Sequence, residues 1–292
     1  MDDAWQSGWC RARKGTTMAA ESGAGTQAVE RAISLLACFT DEHSELRITE
    51  LCAQTGLGQS TVSRMISSLD RLGYVVQDAR TSLYRLGPSA VTLGSVALNS
   101  SPLFRAARPI AQNLAYATGL GVNLAEFRDN RLFYLCNFEG ATSPKSFTMA
   151  GRTAPLHATG MGKAILAEQP AEYVMAYFAD GLGHAYTPHT VTGYAAMQTV
   201  LTEIRNRGYA TEVEELAFGR ACLAAPIRTR GGQVVAALSL SGPLSELDLP
   251  QRQQDLALMV IEAADELSVA LGFTVPFAST PPLSLPSQES SS

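Results

Sequence analysis

The chain has 292 residues, of which 46% are hydrophobic and 17% charged, so two domains with real apolar cores are the better expectation. No run of about 18 apolar residues occurs, which excludes a membrane-spanning helix, and the basic start (Arg11, Arg13, Lys14) lacks the apolar stretch of a secretory signal. Five cysteines, an odd number with no CxxC and no clustering with the four histidines, exclude a disulfide framework and point to a reducing cytoplasm with neither metal nor cofactor.

Residues 1–25, rich in Gly, Ala, Ser and Thr, read as a disordered tail in which Met18 is an alternative start. A first helix is expected at 27–39, with Val29, Ala32, Ile33, Leu35, Leu36 and Phe39 turned toward a core. From Arg47 to Arg85 the pattern is a short helix, a tight turn at Gly56, a second helix and a hairpin. In the second helix Val62, Met65, Ile66, Leu69 and Leu72 form one apolar stripe. Opposite them lie Ser60, Arg64, Ser67, Ser68 and Arg71, small or guanidinium side chains that suit a nucleic-acid surface. Tyr74–Val76 and Leu83–Arg85 then read as the two strands of a wing.

A helix-turn-helix with a wing places its second helix in the major groove of double-stranded DNA. Ser60 is the expected helix cap, and Arg64 is the expected base reader because guanidinium matches the two acceptors of guanine. Thr61, Ser63 and Ser67 are weaker contacts, while Arg71 and Arg85 suit phosphate. A small helical subdomain with a solvated serine face is the bland alternative. Net charge opposes a DNA role. Residues 26–100 carry six arginines, no lysine and seven acids, so one copy of the module is near neutral and needs a second copy to hold DNA.

Gly87 and Pro88 close the wing, and a linker helix follows at about 90–99. Ser101-Pro102 starts another helix, which Pro109 is expected to kink or restart. Strands are expected at 122–127 and 132–137 around Asp129-Asn130, a short helix at 161–168, a longer one at 194–207 stopped by Gly208, strands at 221–228 and 233–241, and a final helix opened by Asp248 and Pro250. The Pro- and Ser-rich residues 274–292 read as a second disordered tail. This order gives an α/β (α+β) second half with a mixed or antiparallel sheet flanked by helices.

Three segments, PLHATGMGKAILAE (155–168), GYATEVEEL (208–216) with GRACLAAP (219–226), and VVAALSLSGP (234–243), join the winged module in the order that resembles the IclR family of bacterial transcription regulators. The resemblance spans about residues 26–272. It implies a DNA-binding domain at 26–87, a linker helix at 88–101 and a GAF-like effector domain at 102–273. It further implies a dimer or dimer of dimers, and a carboxylate or aromatic acid as effector that tunes operator binding. Repressor is favoured over activator by family tendency. The implied effector residues are Gly160, Met161, Glu212, Cys222, Ser239 and Ser241, with Glu212 standing where the family often has Asp.

The residue chemistry suits that role. Amides of Gly160 and Met161 open a helix and can face an anion. Ser239 and Ser241 share strand parity, so their hydroxyls share a face. They also read as ordinary sheet serines, Cys222 as a small buried hydrophobe, and His157 as a ligand contact or a residue ordering the 155–162 loop. Lys163 reads as a solvated side chain or an ion-pair partner, and Glu214 and Glu215 as structural acids of their loop or a solvated charge run. Acyl transfer with Cys222 as nucleophile and His157 or His184 as base has no local signature.

Overall fold

The computed structural model describes residues 24–142 and 150–274. Both tail assignments therefore fall almost wholly outside the described residues. The chain forms two compact units that divide between Arg105 and Ala106.

In the first unit, α1 (Ala24–Leu36), β1 (Glu45–Leu46), α2 (Ile48–Thr55), α3 (Gln59–Arg71), β2 (Val75–Gln77), β3 (Tyr84–Leu86) and α4 (Pro88–Ser100) follow in order. Leu35, Leu46, Leu51, Val62, Ile66 and Val75 are fully or almost fully buried together, so the apolar periodicity of α2 and α3 closes one core. Gly56 ends α2 at φ 70°, the left-handed region that glycine enters without a Cβ penalty, and so makes the sharp turn into α3. The wing is a three-stranded sheet in the order β1-β3-β2. Two residues, 45–46, supply the extra strand, too short for any alternation to show.

The structure departs from several expectations in this unit. The N-cap of α3 is Gly58, not Ser60: the Gly58 backbone is extended and its carbonyl accepts from Thr61 and Val62 at 2.9 and 3.1 Å. Leu72 lies past the helix and is exposed, while Met65 is only half-buried. Val29 and Ile33 on α1 are exposed, and α4 has no buried residue at all.

The second unit begins within α5 (Pro102–Thr118), where Pro109 sits inside one unbroken helix. The loss of a single backbone donor there does not end the element. It continues with β4 (Gly121–Arg128), β5 (Arg131–Phe138), β6 (Thr153–Pro155), α6 (Gly160–Ala167), α7 (Ala171–Ala179), α8 (Tyr194–Arg207), β7 (Ala210–Val213), β8 (Arg220–Arg228), β9 (Val234–Pro243), α9 (Leu244–Leu247) and α10 (Leu249–Ala270). The strands form one antiparallel sheet in the order β6-β5-β4-β9-β8-β7. The β4–β5 turn uses Asp129 and Asn130 at φ 47° and 61°, residue types that tolerate that region.

Tyr134, Ala224 and Ala237 on one sheet face join Met161, Ile165, Met197 and Leu201 of α6 and α8 in one core. Alternate residues Leu223, Ala225, Leu238 and Leu240 are buried outside that cluster, on the face where β8 and β9 meet α10. Leu256, Val260, Ala263 and Leu267 make the buried stripe of α10.

Candidate functional site

Two surfaces carry the expected site residues. On α3 the residues Ser60, Ser63, Arg64, Ser67 and Arg71 are exposed and Thr61 is half-buried, opposite the buried Val62, Ile66 and Leu69. Ser68 is half-buried and turned inward on its own helix: its hydroxyl donates to the Arg64 carbonyl at 3.1 Å and accepts from the Arg71 guanidinium at 3.2 Å. Arg71 lies in the last turn, where a cation suits the helix dipole. Arg85 is exposed on β3, paired with Val76 on one side and Glu45 on the other.

The wing tip is built by Asp78, a residue that no sequence motif marks. Its Oδ1 accepts from the amides of Arg80 and Thr81, both at 2.8 Å, and from the Thr81 hydroxyl at 3.1 Å. These bonds hold its carboxyl below the usual carboxylate range. The wing's acid is thus engaged internally, and Arg80 is left at the exposed tip.

The second surface is the α6 face of the large sheet. Register places Glu212 beside Cys222, Cys222 beside Ser241, and Ser239 beside Asn123, so strands β7, β8, β9 and β4 bring them onto one face. Ser239 and Ser241 share it as their parity requires. Asn123, not anticipated, donates from Nδ2 to Ser241 Oγ at 2.8 Å and to Ser239 Oγ at 3.5 Å. The Cys222 thiol donates to Glu212 Oε2 at 3.6 Å, while Glu212 Oε1 accepts from the amides of Glu215 and Leu216 at 2.6 and 3.3 Å. Burial raises the Glu212 carboxyl, against the pull of those amides and of Lys163. Burial and the neighbouring Glu212 carboxylate push the Cys222 thiol far up, so it stays protonated.

Helix α6 closes on this face because Gly160 has no side chain: a Cβ there would meet Cys222 Sγ at 2.7 Å. Thr159 is the N-cap, its hydroxyl accepting from Gly162 N–H at 3.1 Å. The Gly160 amide faces the Cys222 sulfur, so among the first amides the Met161 N–H is the one left unengaged by the described residues. The Met161 side chain is core.

Of the two readings of Lys163, the structure shows the ion-pair partner and not the solvated side chain. The residue is 2% exposed and its ammonium forms an ion pair with Glu215. The Glu215 carbonyl also accepts from the Thr190 hydroxyl at 2.5 Å, which ties the 212–216 turn to the loop before α8. His157 is fully buried. Its Nε2 faces the His184 carbonyl at 2.8 Å, so it carries the proton, and Nδ1 accepts from the Tyr177 hydroxyl at 3.0 Å. Burial lowers its pKa to about 4. Both its nitrogens are engaged in holding the loop, and the Cys222 thiol donates elsewhere, so the two do not form a nucleophile–base pair. Among the described residues no cluster suited to a metal ion occurs, and no helix is long and apolar enough to cross a membrane.

A family model described as the bacterial transcriptional regulator IclR C-terminal domain matches residues 95–269, and one described as the IclR helix-turn-helix domain matches residues 28–79. The chain is 33% identical to the HTH-type transcriptional regulator BhcR of Paracoccus denitrificans over 89% of its own length and 92% of the relative's. It is 31% identical to the transcriptional repressor IclR of Escherichia coli, covering 90% and 96% of the two chains. An IclR homolog of Microbacterium hydrocarbonoxydans, crystallised with 4-hydroxybenzoate, shares the fold at TM-score 0.73 and 21% identity, covering 84% and 99%. A winged DNA-binding module followed by this antiparallel-sheet domain, matched in that order by both models, places the chain in the IclR family of bacterial transcription regulators.

Proposed function

We propose that this DNA-binding regulator is a repressor whose grip on its operator is released by a small carboxylate or aromatic acid held on the α6 face of the second unit. The observation that carries the reading is the line of Asn123, Ser239, Ser241, Cys222 and Glu212 across four neighbouring strands, beside the start of α6. Polar groups of this kind on a buried sheet face have a use in fixing a small oxygen-rich ligand. The 4-hydroxybenzoate complex of the Microbacterium homolog and the repressor named among the relatives agree with it. Met161, Ser239 and Ser241 supply the assigned donors, and Gly160, Cys222 and Glu212, engaged with one another, line the site beside them.

The test is the double variant Ser239→Ala/Ser241→Ala, screened against a panel of small aliphatic and aromatic carboxylates. It should fold and bind DNA as the wild type does. Losing two hydroxyl partners costs about 1–3 kcal/mol each, so operator release should need ten-fold or more ligand. An unchanged dose response would move the ligand site elsewhere.

On DNA, Ser60, Thr61, Ser63, Arg64, Ser67, Arg71 and Arg85 are the assigned contacts, used twice by a symmetric dimer. Its interface is assigned to the apolar residues that the first unit leaves uncovered: Val29 and Ile33 on α1, and Val91, Leu93 and Val96 on α4. A 13-residue helix with no buried residue gains nothing from its own core, and isolated helices of that length are marginal in water. A second copy supplies the burial and doubles the cationic contacts of a near-neutral module. Leu93→Glu/Val96→Glu should sediment as monomer and bind the operator at least 100-fold more weakly. A stable dimer of that variant would remove this face from the interface.

A further inference from the structure

The ligand face has two hydroxyls whose hydrogens are unclaimed, and one residue sets their direction. Ser239 and Ser241 both appear as acceptors from Asn123 Nδ2, and neither donates to a protein group among the described residues. Ser239 is 1% exposed, so its hydrogen has little access to bulk water. A hydroxyl that accepts a bond turns its own O–H away from the donor. With the Met161 amide, the face then presents hydrogen-bond donors without a cation of its own, because Lys163 is held by Glu215. Both oxygens of its acid, Glu212, already accept from the Cys222 thiol and the amides of Glu215 and Leu216.

We propose that Asn123 is the specificity-determining residue of the site: by donating one N–H to each of Ser239 and Ser241 it turns both hydroxyl hydrogens away from itself toward the ligand and selects a carboxylate over its neutral amide. This rests on the ligand-site reading above and adds to it the residue that sets the polarity. Neutral donors bind a carboxylate through charge-assisted hydrogen bonds, shorter and stronger than those to an amide carbonyl. The near-isosteric Asn123→Asp change reverses the pattern. An aspartate can only accept, so both serines donate to it, and their lone pairs turn outward beside a new negative charge.

The experiment is titration calorimetry on the full-length protein with matched pairs: 4-hydroxybenzoate against 4-hydroxybenzamide, and glycolate against glycolamide. The wild type should favour the acid at least ten-fold in at least one pair. Asn123→Asp should lose at least 30-fold for that acid and favour its amide. Asn123→Ala, which adds no charge and is the fallback if the aspartate variant does not fold, should narrow the acid-to-amide ratio. A residue that only supports the sheet would weaken both members equally and leave that ratio unchanged, which overturns the proposal. So does a wild type that prefers the amide, although the ligand site then stands. If the wild type binds none of the four probes, the ligand-site reading itself fails, before any variant is made.

Discussion

Arg64→Ala should abolish sequence-specific operator binding and leave the fold and oligomeric state unchanged. Arg64 is exposed in the second turn of α3, on the side opposite the buried Val62 and Ile66, so its removal leaves the core intact. A guanidinium on a guanine edge discriminates by about 1–3 kcal/mol, and the symmetric dimer proposed above would use that arginine twice, for about 2–6 kcal/mol in all. Discrimination between an in vitro selected operator and random DNA should therefore fall by roughly 30-fold or more. Arg71, braced by Ser68 in the last helical turn, is the proposed phosphate contact. Arg71→Ala should weaken specific and random DNA alike and flatten the salt dependence by about one unit for each phosphate that is no longer neutralised. Undiminished specificity of Arg64→Ala in a gel shift would remove it from base readout.

Lys163→Met should be the most destabilising of these changes. The ammonium is 2% exposed and its partner Glu215 is 8% exposed, with Glu215 Oε2 already lacking a partner among the described residues. Breaking one side of a buried pair leaves an uncompensated charge and costs about 3–5 kcal/mol, whereas replacing both partners by apolar groups is often neutral. For a unit of this size that corresponds to a fall of roughly 6–20 °C in the melting temperature. Lys163→Met/Glu215→Leu should recover most of it. A single variant within about 1 kcal/mol of wild type would show that the pair is not what anchors the 212–216 turn.

Sequence alone determined what depends on local periodicity and turn chemistry. The stripe of Val62, Ile66 and Leu69, the left-handed Gly56 and Gly208, and the Asp129-Asn130 turn are all properties of near neighbours in the chain. Strand parity likewise put Ser239 and Ser241 on one face before any partner strand was known. The tertiary structure decided everything that depends on register between distant segments. Asn123 meets Ser241 across 118 residues and Lys163 meets Glu215 across 52, and no spacing rule connects them. The fate of the charges followed from the same cause: a one-dimensional pattern leaves Lys163 open between solvent and an ion pair, and only the burial of two distant elements against each other makes Glu215 its partner. The exposed apolar residues of α1 and α4 show the converse, since periodicity marks which residues need covering but not whether their own chain or a second copy covers them.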